Sequence, residues 1–96
     1  MQEDKVAEIQ DYLVRRIPDV RVTSHYDFDT ESQRFRIRHG RMVTHIFFVE
    51  EAAVNHHSRD ELSQLLDKAI LHLRLTAPQV EVRLTKRGVL VKQAEH

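Results

Sequence analysis

The chain has 96 residues, with fifteen Lys and Arg balanced by fifteen Asp and Glu, and it contains no cysteine. One α+β domain over residues 1–96 is the expectation from length, and disulfides, thiolate metal sites and cysteine nucleophiles are excluded. No apolar run approaches the ~20 residues that span a bilayer, and the charged start MQEDKVAEIQ has no signal-peptide stretch, so the reading is a cytoplasmic protein with no membrane association.

Residues 3–17 predict a helix. Val6, Ile9, Leu13 and Ile17 recur at spacings of three and four, and Ala7 and Val14 widen the apolar stripe. Pro18 disfavours the helical conformation at Ile17 and sets the end. Residues 20–28 alternate: Val20, Val22, Ser24, Tyr26 and Phe28 point one way, Arg21, Thr23, His25 and Asp27 the other. The polar DTES follows as a turn. Residues 34–39 alternate again, with Phe35 and Ile37 inward and Arg34, Arg36 and Arg38 outward.

Gly40 suits the positive φ of a tight hairpin, and residues 42–49 predict a third strand. A two-residue turn sets Phe35 and Ile37 on one face with Met42, Thr44, Ile46 and Phe48. Val43, His45, Phe47 and Val49 then join the arginines. A three-residue turn reverses that assignment.

EEAAVNHH reads as a connection with a short helical turn. SRDE is a capping box, in which Ser58 caps and Glu61 reaches back. The helix it opens runs to about Arg74, with Leu62, Leu65, Leu66, Ala69, Ile70 and Leu73 as its stripe and Leu71 facing away. Ala77-Pro78 closes it. Residues 80–85 alternate as a fourth strand. A turn or bulge at 86–88 then leads to a returning strand over 89–92.

The expected fold is a two-layer α+β sandwich in the order α-β-β-β-α-β(-β), with a mostly antiparallel sheet and both helices on one face. The other face carries Arg21, Arg34, Arg36, Arg38, Arg83 and Thr85, with His45, Phe47 and Val43 among them and Arg41, Lys86 and Arg87 in nearby turns.

Little catalytic chemistry is written in the chain. Its two glycines, Gly40 and Gly88, each belong to a turn, so phosphate-cradling loops are absent. No nucleophile elbow surrounds any serine. Glu50 and Glu51 are sequence neighbours at a strand exit rather than two carboxylates in different environments. His56 and His57 are adjacent and would diverge, short of the three or four converging ligands that zinc needs. No enzyme activity, cofactor or metal is expected.

The arginine strands raise nucleic-acid binding, which draws its affinity from phosphate neutralisation. Charge parity weakens that reading. Residues 18–49 carry five Arg against four Asp and Glu, while residues 50–75 carry three basic against five acidic side chains, so only the β portion is mildly basic. Phe35 and Phe48, read as inward, leave the arginines without a stacking partner other than Phe47 and, secondarily, Tyr12. The order α-β-β-β-α over residues 3–74 resembles the double-stranded RNA-binding domain, and the related fold of ribosome-hibernation factors, in topology. That resemblance implies a lysine cluster opening the second helix, where this chain has Ser58-Arg59-Asp60-Glu61, so no residue is carried over.

The expected function is protein–protein interaction or self-association without catalysis. The candidate surface is Arg21, Arg34, Arg36, Arg38, Arg41, His45, Phe47 and Arg83, and the partner is a protein or a second copy of the chain. RNA or DNA binding by the same arginines is the alternative.

Overall fold

A computed structural model describes residues 1–41, 43–75 and 80–93, with the backbone alone at 43, 44, 75 and 93. Expectations that fall on Met42, on the side chains of Val43 and Thr44, and on Ala77-Pro78 lie outside the described residues.

The elements are α1 (Glu3–Arg16), β1 (Val20–Asp27), β2 (Ser32–His39), β3 (Val43–Glu50), α2 (Glu51–His56), α3 (Arg59–Leu75), β4 (Val80–Thr85) and β5 (Gly88–Gln93). The class is α+β, as expected, with the helices packed on a five-stranded sheet of order β1-β2-β3-β4-β5. All neighbours are antiparallel except β3 and β4, which are parallel and joined through α2 and α3. Parallel strands need such a crossover, whereas antiparallel ones close with a few residues.

α1 forms where its stripe and its termini agree. Glu3 and Asp4 stand in the first turn and Arg15 and Arg16 in the last, which complements the helix dipole. Ile9, Leu13 and Ile17 are buried. Val14 and Ala7 are exposed, so the buried stripe is narrower than the sequence pattern. α3 opens on the expected capping box: the Ser58 amide donates to Glu61 Oε1 at 2.9 Å and the Glu61 amide to Ser58 Oγ at 3.2 Å. Its Leu66, Ala69, Ile70 and Leu73 are buried, and Leu71 is exposed, as its angular position predicts.

The connection after β3 is a distinct helix, α2, whose Ala53 is buried. His57 links its end to the sheet through Nε2 and the Thr85 carbonyl, 3.1 Å apart. α1 and α3 meet where the Tyr12 hydroxyl and Arg16 Nε both donate to Asp67 Oδ1. Among the described residues no helix is long and apolar enough to cross a membrane.

Register decides the faces. His39 stands opposite Val43, Ile37 opposite His45 and Phe35 opposite Phe47. The β2–β3 loop therefore spans residues 40–42, a three-residue connection with Gly40 at φ +61°, and the two-residue assignment is overturned. His45 and Phe47 lie on the helix-covered face with Phe35 and Ile37, and all four are buried. Ile46 and Phe48 take the opposite face.

β1 ends at Asp27, one residue before the alternation does. Phe28 is 83% exposed in the turn rather than inward. Asp27 makes that turn, accepting from the Asp29 amide and the Thr30 hydroxyl, and Glu31 closes it at φ +50°. The β4–β5 turn is the expected tight one, with Thr85 opposite Gly88. Arg87 donates its amide to Thr85 Oγ1, and the Thr85 hydroxyl donates to the Gly88 carbonyl.

Candidate functional site

The open face of the sheet carries side chains in rows that the register fixes. One row crosses all five strands: His25, Arg34, Phe48, Arg83 and Leu90. The next holds Thr23, Arg36, Ile46, Glu81 and Lys92, and the one beyond it pairs Arg21 with Arg38. Of the eight residues expected to form one surface, Arg21, Arg34, Arg36, Arg38 and Arg83 do so. Arg41 extends it in the loop. His45 and Phe47 do not belong to it.

The arginines divide into two groups. Arg34 and Arg83 are half-buried and flank Phe48. The Arg83 guanidinium carbon lies 4.4 Å from the centre of the Phe48 ring and that of Arg34 lies 6.0 Å from it. Such stacking draws a cation to the electron-rich ring face. Arg83 Nη1 also donates to Ser32 Oγ at 3.3 Å and sits 3.7 Å from Glu50 Oε2. Arg34 Nε is buried with no hydrogen-bond partner among the described residues. Phe48 is only 7% exposed beneath this pair, so it is not a platform for a base. It is an aromatic that sequence alternation placed on the wrong face, and a one-residue difference in turn length is the whole reason.

Arg21, Arg36, Arg38 and Arg41 form the second group. All are exposed, and none makes an ion pair among the described residues. Arg21 stands directly opposite Arg38 on the same face, a like-charge arrangement that costs stability. Arg21, Arg38 and Arg41 share a shallow depression of about 500 Å³ with Asp19. The other end of the β1–β2 hairpin is acidic, with Asp27, Asp29 and Glu31 in or beside the turn. The hairpin is thus basic at one end and acidic at the other, a polarity that the neutral overall charge conceals.

Two further hollows lie among the helices. One of about 410 Å³ between α1 and α3 is lined by Tyr12, Arg16, His57 and Arg59 and is bridged by the ion pair of Arg59 with Glu8. Another, of about 310 Å³, holds His39 and His45 beside Pro18 and Leu73. Those two imidazoles meet edge to face at 5.3 Å. Burial, and then the neighbouring His45, hold the His39 pKa below its ordinary value. Among the described residues no group of three or more His, Asp or Glu side chains is placed to hold a metal ion. Comparison with protein-family models, with curated proteins and with solved structures finds no match.

Proposed function

We propose that the chain is a non-catalytic protein-binding module that docks an acidic surface of its partner on the exposed arginines of the open sheet face. The observation that carries this reading is that Arg21, Arg36, Arg38 and Arg41 are exposed and without counter-ions among the described residues. Arginine is favoured at protein interfaces because its planar fork recognises carboxylates bidentately and gives up hydration readily.

The same arginines support a second reading, RNA or DNA binding. The surroundings favour protein. Cations on this face alternate with Asp27, Glu50 and Glu81, where a phosphate chain would meet repulsion. The exposed aromatic among the described residues, Phe28, lies beside Asp27 and Asp29, which is a poor place to stack a base next to phosphate.

The test is affinity retention from a nuclease-treated host lysate on immobilised chain, with an Arg36→Glu/Arg38→Glu variant as control. Partner proteins held by the original chain and released by the variant, with both folded by circular dichroism, are the expected result. Equal retention by both would remove the proposal. Material retained from an untreated lysate that disappears with nuclease and with modest salt would favour the nucleic-acid reading.

A further inference from the structure

We infer that the acidic surface is the chain's own: two copies pair edge to edge along β1, antiparallel, with Ser24 opposite Ser24. This rests on the protein-binding reading above and names its partner.

β1 is an edge strand, bonded to β2 on one side and to no strand on the other. In an antiparallel ladder, alternate residues direct their amide and carbonyl groups to the neighbour and away from it. Gln10 Nε2 donates to the Val22 carbonyl at 2.9 Å, which marks Val22 as a residue that points away from β2. Val20, Ser24 and Tyr26 share its parity. Gln10 occupies one outward carbonyl, and the remaining outward groups have no backbone partner among the described residues. An eight-residue strand with an open edge is a template for another strand.

Only registers that match even-numbered residues with even-numbered ones bring outward groups face to face. Among these, the register centred on Ser24 sets Arg21 opposite the mate's Asp27, twice by symmetry. It also sets Val22 opposite Tyr26, whose amide takes the Val22 carbonyl in place of Gln10 Nε2, and Val20 opposite Phe28. The end where Arg21, Arg38 and Arg41 surround Asp19 then meets the acidic end formed by Asp27, Asp29 and Glu31, a net gain of opposite charges although Asp19 stands opposite Asp29. Arg21, which faces Arg38 within one copy, gains an opposite charge in the pair. The register centred on Thr23 would leave Arg21 facing His25.

α1 supplies an independent observation. Glu8, Tyr12 and Arg16 lie on the flank that meets α3. Ala7, Gln10 and Val14 lie on the opposite flank at helical spacing, and Gln10 shows that this flank overlooks the β1 edge. Val14 is 46% exposed there. Edge pairing brings this flank toward its counterpart and covers Val14 and Phe28 together. The other free edge, β5, exposes Leu90 and Val91, but the α3 flank beside it presents Glu61, Gln64 and Lys68, and its strand offers no pair of opposite charges.

The test is light scattering on size-exclusion fractions over a wide range of chain concentration. A concentration-dependent dimer is expected. Ser24→Pro, which removes an outward amide and leaves the bonds to β2 intact, should weaken it by about tenfold or more, as loss of ~1.4 kcal/mol or more does. Arg21→Asp should weaken it similarly. Far-ultraviolet circular dichroism checks that each variant is folded.

A strict monomer at every concentration overturns the inference. So does a dimer that ignores Ser24→Pro and Arg21→Asp but is broken by Leu90→Lys, which would assign the interface to β5. A monomer that still retains another protein in an Arg36- and Arg38-dependent way would refute self-pairing and leave protein binding standing. A monomer that retains only nucleic acid would refute both.

Discussion

Arg83 lies over Phe48, its guanidinium carbon 4.4 Å from the ring centre, while Nη1 of the same group reaches Ser32 and Glu50. One side chain on β4 thus covers an aromatic on β3 and engages polar groups on β2 and β3. The stem and guanidinium plane shield the ring as much as the charge attracts it. Arg83→Ala should lower unfolding stability by about 1–2 kcal/mol. Arg83→Lys should fall between, since an ammonium lacks the planar fork. Urea unfolding followed by circular dichroism measures both.

The two phenylalanines of β3 should behave differently. Phe47 is fully buried and its ring centre lies 6.2 Å from that of Phe35. Phe47→Ala should cost about 3–5 kcal/mol through lost burial and the cavity left behind. Phe48 can relax toward solvent when its cover moves, and Phe48→Ala should cost about 2 kcal/mol. If Phe47 stood on the open face, the order of the two losses would reverse.

The capping box predicts a local cost at the start of α3. Ser58→Ala should destabilise by ~1 kcal/mol, and Ser58→Asp, which keeps an acceptor in place, should be close to neutral. The Ser58 amide, then its hydroxyl, hold the Glu61 carboxyl below its ordinary pKa. Titration of Glu61 by carbon-detected NMR in the Ser58→Ala variant should move that pKa upward.

His39 predicts a pH dependence. Burial, then the charge of His45, lower its pKa in the folded chain. A group whose folded pKa is depressed contributes stability above its unfolded value, about 6.5 for histidine, and loses it as pH falls toward the folded value. Urea midpoints should therefore fall between about pH 7.5 and about pH 5.5. His39→Leu should flatten that fall. An unchanged slope in His39→Leu would refute the assignment to His39.

Most of the fold is legible in the sequence because its local signals agree. Pro18 after an apolar stripe, SRDE before another, and the Lys86-Arg87-Gly88 break all mark boundaries that the structure reproduces. The open face was less legible, for a definite reason. Phe47 and Phe48 are adjacent, so either can be the inward one. The choice depends on whether the loop after His39 holds two residues or three, and Gly40 suits both. Phe28 misled because alternation in side-chain type runs one residue past the last strand hydrogen bond. Ala7 and Val14 depart in the opposite sense: they continue the apolar stripe, yet both are exposed on the flank of α1 away from α3.

The parallel contact between β3 and β4 has a consequence for how the molecule assembles. The strands β1, β2 and β3 close through short turns, and β4 and β5 through another, so each unit incurs little loop-closure entropy. Phe47 finds Val82 only after both α2 and α3 have been laid between them. Such a non-local joint carries the larger closure entropy and is expected to form after the hairpins. It is also the natural line along which the sheet opens in partial unfolding. Arg83 reaches across that line from β4 to Phe48, Glu50 and Ser32, and so acts as the clasp on the last seam to close.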